Sequence, residues 1–163
     1  MIINCETDNI INNKYFTNRI NKNYDSFAYT SVITHQKKNN IKATQIFTKL
    51  GPIAFLPISK SKTSIVFSIF NKKNNFKDDE IKRLIIEYNK DYEIKNFSDL
   101  QKFPLNFSSL KKYYYKNIMA FGDCLHKVHP LAGQGFNMTI RDIKILSDII
   151  NDRINLGLQL DFS

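Results

Sequence analysis

The chain has 163 residues, 42% of them hydrophobic and 13% aromatic, which suits one packed domain or a large piece of a bigger one and excludes a disordered chain. Its net charge of +9 would suit nucleic acid or an anionic membrane, but the lysines are scattered among Asn and Ile in every segment. With no clustered arginine and no recognisable module, a nucleic-acid partner is not expected.

Ile2 and Ile3 read as a strand remnant running into a polar turn over residues 4–13. The opening MIINCETDN lacks the basic flank and apolar core of a secretory leader, and none is expected. Phe27 to His35, Ala43 to Leu50, Ile53 to Ile58 and Thr63 to Phe70 are β-branched and aromatic runs with partial two-residue alternation, separated by KKNN, GP and SKSK. Consecutive strands of this kind predict an antiparallel sheet. No apolar run reaches membrane-spanning length, because Pro57, Lys60 or Asn71 interrupts the longest.

The period then changes. Ile81, Leu84, Ile85 and Tyr88 share one face at helical spacing, behind Asp78, Asp79 and Glu80, so Lys77 to Asp91 predicts an amphipathic helix covering the sheet. Leu105 to Leu110 and Asn117 to Phe121 predict further strands. A second helix is expected from near Gly135, with Phe136, Ile140, Ile143, Ile150 and Ile154 as its apolar stripe. Cys5 and Cys124, far apart in sequence, read as free thiols in a reducing cytoplasm.

Chemistry concentrates in FGDCLHKVHPLAGQGFNM, residues 121–138, which holds three of the chain's five glycines. A buried strand ending in Gly122-Asp123 places a carboxylate where α/β proteins contact ligands. An ionised Asp only accepts hydrogen bonds, so Asp123 suits either ligand hydroxyls or the capping of its own turn. Pro130 stiffens the following turn, and Gly133 and Gly135 admit backbone torsions and close approaches that a side chain would block. The helix start then offers unpaired N–H groups to a phosphate or to negative charge on a ring, with the Asn137 amide beside them. These features together predict a nucleotide or cofactor cradle. His126 and His129 without Cys or carboxylate partners make an incomplete metal site, and no G-x-S-x-G accompanies a hydrolytic His. His126 and His35 are expected to be structural.

GDCLHKVHPLAGQGFNMTIRD closely resembles the G-D-A-A-H-x-x-H-P-x-A-G-Q-G-x-N-x-x-x-x-D segment of flavin-dependent aromatic hydroxylases of the ubiquinone-biosynthesis, UbiH-like group, within the wider p-hydroxybenzoate hydroxylase fold. TKLGPIAFLPISKSKTSIVFSI, residues 48–69, resembles that family's G-P-L-A-F-L-P-L strand pair. The resemblance implies a partial hydroxylase fold of mixed α+β and α/β class. Residues 1–25 would be a remnant of the FAD-binding domain, 26–113 the antiparallel substrate-domain sheet with its covering helix, and 114–163 the FAD-binding strand-turn-helix.

By the same resemblance Asp123 would accept from the ribityl chain of FAD, with Gly122 permitting the approach. Pro130, Gly133, Gln134 and Gly135 would line the flavin, and backbone groups of Gly135, Phe136 and Asn137 would face its pyrimidine edge. NAD(P)H would be the reductant and a polyprenylated phenol the substrate, with peripheral contact at the cytoplasmic surface of the inner membrane. No side chain is implied as catalytic acid or base.

The chain departs from the family in two places. The G-x-G-x-x-G that seats the FAD pyrophosphate is absent. NCETDNI, residues 4–10, stands at the second fingerprint, usually G-A-D-G-x-x-S, with Glu6 for the Asp and Thr7 for the second Gly. The sequence therefore reads as the middle and rear of a hydroxylase, weak in FAD binding alone. The expectation is either an incomplete chain or one that works with a partner supplying the other half, and the alternative is a non-catalytic remnant.

Overall fold

The computed structural model describes residues 1–70, 76–128 and 133–160. They divide into two compact units, one made of Met1–Asn23 with 106–163 and the other of Tyr24–Leu105.

The Tyr24–Leu105 unit is a sheet under one helix. Strand β2 (Arg19–His35) leads into it, followed by β3 (Thr44–Thr48), β4 (Gly51–Ser59), β5 (Lys62–Phe70), helix α2 (Asp78–Tyr88) and β6 (Ile94–Phe97), and β7 (Gln101–Leu110) leads out. The antiparallel order β2-β5-β4-β3 has β6 paired to the end of β2. Its register sets Ile33 opposite Thr63, Tyr29 opposite Phe67 and Ile53 opposite Phe67. Alternate residues therefore fall on one face, where Tyr29, Ile33, Ile53, Phe55, Ile65, Phe67 and Ile69 form a core closed by Ile81 and Ile85 of α2. Asp78, Asp79 and Glu80 do lie in the first turn of α2, and Glu80 Oε2 also accepts from the Lys77 amide at 2.8 Å. His35 is structural: it is buried, with Nε2 3.0 Å from Thr63 Oγ1 and Nδ1 2.8 Å from the Gln36 carbonyl.

The other unit begins with β1 (Ile2–Asn4) and helix α1 (Ile10–Tyr15) and continues after β7 with β8 (Tyr114–Tyr115) and β9 (Ile118–Ala120). It then runs through a 3-10 turn (Gly122–Cys124), β10 (His126–Lys127) and helix α3 (Gln134–Asn155). The order is β1-β9-β8, with β1 parallel to β9 and β8 antiparallel to it. A small core joins Phe16, Leu110, Ala120 and Cys124.

Several elements differ from the sequence reading. Residues 10–15 are helical where a polar turn is expected, because the Asn9 side chain accepts from the Asn12 amide at 2.8 Å and caps a short turn. β2 starts at Arg19, eight residues before Phe27, and its early residues are mostly polar and exposed. β7 starts at Gln101 and runs through Pro104, which argues against a strand when read from sequence. Strands β6, β8 and β10 have four, two and two residues, too few for a period to show.

Candidate functional site

The site lies wholly in the unit formed by residues 1–23 and 106–163. β9 is short and buried over Met119 and Ala120, and Phe121 after it is buried too. The chain then turns sharply at Gly122, whose φ of +59° lies where a side chain is strained, although a Cβ there would meet Thr139 Cγ2 at an ordinary 3.8 Å. The glycine requirement at this position is therefore one of torsion and not of crowding. The turn is closed by Leu125 N–H donating to the Gly122 carbonyl at 2.9 Å.

Asp123 projects from that turn and is exposed. No described residue donates a hydrogen bond to its carboxylate, so the side chain is not spent on capping its own turn. That separates the two roles open to it from sequence, and leaves a carboxylate free to accept from ligand hydroxyls.

Helix α3 starts after Gly133, whose φ of +67° makes it a left-handed N-cap. No side chain caps the first turn and no acidic residue lies in it. Among the described residues nothing caps the first amides, and together with the positive end of the helix dipole they would suit an anionic ligand. Gln134, Phe136 and Asn137 are exposed and Gly135 is partly exposed. No described atom lies within 4 Å of a Cβ built on Gly133. His129 and Pro130 lie outside the described residues.

Two further contacts define the surroundings. NCETDNI, at 4–10, lies against the Asp123 turn, with Phe121 N–H donating to the Asn4 carbonyl at 2.9 Å. Asn4 Nδ2 reaches Cys124 Sγ at 3.3 Å, so the two segments matched to cofactor fingerprints are neighbours. Glu6 points into this local turn, where its carboxylate lies 3.4 Å from Asn9 Nδ2. His126 is buried and its Nε2 lies 3.0 Å from Asp142 Oδ2, tying β10 to α3 as a structural imidazole would. Its buried Nδ1 has no partner among the described residues. These contain no cluster of three or more His, Cys, Asp or Glu able to hold a metal ion. Cys5 and Cys124 are free thiols, one exposed and one buried.

Sequence reasoning missed Arg19, which reaches Cys124 next to Asp123. The available signal is compositional, since Arg19, Arg83, Arg141 and Arg153 are the only arginines in a lysine-rich chain. Asn4, Asn9 and Asn12, also in this network, are hidden by the abundance of asparagine.

The free carboxylate on a glycine turn and the uncapped helix start fit a ligand with hydroxyls at one part and negative charge at another. FAD has both, in its ribityl chain and in the pyrimidine edge of its reduced ring.

A family model described as an FAD binding domain matches residues 14–155. The mitochondrial ubiquinone biosynthesis monooxygenase COQ6 of Caenorhabditis elegans is 23% identical, over 85% of this chain and 40% of that protein. The ubiquinone hydroxylase UbiL of Rhodospirillum rubrum is 23% identical, over 83% of this chain and 33% of that protein. The chain thus spans well under half the length of these relatives. Among solved structures, the flavin-dependent halogenase CmlS superposes with a TM-score of 0.62 at 14% identity, over 84% of this chain and 28% of that one, a likeness of fold alone.

Proposed function

The chain belongs to this FAD-binding domain family, and from that premise we propose that it is an FAD-dependent aromatic-ring monooxygenase of ubiquinone biosynthesis. The observation that carries the reading is the strand-turn-helix of β9, the Gly122–Cys124 turn and α3. It pairs an exposed carboxylate without a partner among the described residues with a helix start lacking any side-chain cap. The names of the COQ6 and UbiL relatives support the quinone pathway.

Bound FAD supplies the redox and oxygen chemistry, with NAD(P)H as the reductant. The chain's own residues bind and orient it. Asp123 accepts hydrogen bonds from the ribityl hydroxyls, held at the turn by Gly122. The Gly133-Gln134-Gly135 start of α3 would line the ring. Amides of Gly135, Phe136 and Asn137 stabilise negative charge at the pyrimidine edge.

The substrate is a polyprenylated phenol, met at the surface of the inner membrane from its cytoplasmic side. Among the described residues no helix is long and apolar enough to cross a membrane.

One observation favours a form of this reading in which a second polypeptide takes part. α3 buries none of its residues, and Ile140, Ile143, Ile145 and Ile149 are each about half exposed. Further polypeptide laid on that stripe would complete the helix packing.

The test is metabolic. Cells that make this protein should, when the gene is removed, lose ubiquinone and accumulate a polyprenyl phenol lacking one ring oxygen, read by mass spectrometry. The unaltered gene should restore the quinone and the Asp123→Ala gene should not. An unchanged quinone profile after deletion would sink the proposal.

A further inference from the structure

Several described residues around Asp123 are held by hydrogen bonds, and one long side chain reaches into that network. Arg19 stands at the start of β2, half-buried. Its Nη2 donates to the Cys124 carbonyl at 2.8 Å and to Asn12 Oδ1 at 2.7 Å. Its Nε donates to the Phe16 carbonyl at 3.2 Å, and its Nη1 lies 3.4 Å from Ser108 Oγ. One guanidinium thus joins α1, β7 and the turn that carries Asp123.

The Cys124 thiol completes the clamp. It accepts from Asn4 Nδ2 at 3.3 Å and donates to Asn12 Oδ1 at 3.3 Å. Backbone bonds hold the flanks, from Phe121 N–H to the Asn4 carbonyl at 2.9 Å and from Leu110 N–H to the Leu125 carbonyl at 3.0 Å. Among the described residues no carboxylate pairs with Arg19, so its charge is directed entirely at neutral acceptors. A planar fork with five donors can serve several acceptors from a fixed plane, which an ammonium cannot.

From this geometry we infer that Arg19 is a positioning residue for Asp123: its guanidinium locks the Gly122–Cys124 turn so that the carboxylate is presented in one orientation to the ribityl hydroxyls. The inference rests on the flavin reading of the site. Arg19 itself touches no cofactor atom and acts through the Cys124 carbonyl.

The test is a double-mutant cycle on the 163-residue chain, with FAD affinity read from amide chemical shifts and turn order read from hydrogen exchange at the Leu125 amide. Arg19→Ala should weaken FAD binding by about tenfold, the scale of one charge-assisted hydrogen bond. It should speed Leu125 exchange by at least about as much. In an Asp123→Ala background the same substitution should change FAD affinity little, because its effect passes through the missing carboxylate. Arg19→Lys keeps the charge but loses the fork, and should not restore affinity.

An equal loss in both backgrounds, or full rescue by lysine, would overturn the positioning role in favour of general stability or long-range charge. Unchanged Leu125 exchange would overturn the clamp itself. Should Arg19→Ala fail to fold, Arg19→Gln, which keeps an amide donor, replaces it in the cycle. If Asp123→Ala alone leaves FAD affinity intact, the flavin reading falls and this inference with it. The exchange rate then still reports separately whether Arg19 holds the turn.

Discussion

The unit of residues 24–105 and the unit built from 1–23 and 106–163 solve the same packing problem to different degrees. In the first, one face of the sheet is closed by α2, and Ile33, Ile53, Ile65, Phe67, Ile81 and Ile85 are fully buried. In the second, the longest helix of the chain buries no residue, and its isoleucine stripe faces outward at about half exposure. Beside that stripe lies a cavity of about 220 Å³, lined by Met119, Phe121, Leu125, Ile145 and Ile149 among others. Beside a small core of Phe16, Leu110, Ala120 and Cys124, the second unit is held by polar bonds through Arg19, Asn12, Asn4 and the His126–Asp142 pair. One unit thus closes on a large apolar face, while the other adds a few directional contacts around its turn to a smaller core.

That contrast can be broken in the order of the effects it implies. The largest belongs to the closed core: Phe67→Ala, at a fully buried site beside Tyr88, should cost about 3–5 kcal/mol in denaturant unfolding. Next comes the polar unit, where Asp142→Ala removes the 3.0 Å contact to His126 Nε2 and should cost about 1 kcal/mol, part-exposure tempering the loss. The smallest is on the stripe, where Ile145 is 57% exposed and Ile145→Ser should change stability by under about 0.5 kcal/mol. The same substitution should lower self-association in light scattering, since an exposed apolar stripe promotes it. If Ile145→Ser cost as much as Phe67→Ala, the stripe would be buried in solution and the contrast would collapse.

How much of this was legible depended on whether a residue's role shows in its own neighbourhood. β4 and β5 were readable because Ile53, Phe55, Ile65 and Phe67 alternate in register with burial. α2 was readable from Ile81 and Ile85 behind an acidic start. The start of β2 was not, because residues such as Lys22 and Asn23 carry no apolar period. α1 was hidden because its cap, Asn9, is one asparagine among many.

The site divides the same way. Gly122, Asp123 and the glycines before α3 lie within fourteen residues and announce a turn and a helix start. Arg19 lies 105 residues from Cys124, and only the folded chain brings the two to 2.8 Å. Local chemistry is written in local sequence, whereas the bonds that orient it are not.

The central claim is that the Asp123 turn and the start of α3 form a flavin site, and the direct measurement is an FAD titration of the chain and its Asp123→Ala variant followed by amide chemical shifts. FAD should move the resonances of Gly122, Gly135, Phe136 and Asn137. Asp123→Ala should weaken the affinity about tenfold while the melting temperature stays the same. Equal affinity in the two proteins, or shifts confined to residues 24–105, would contradict it.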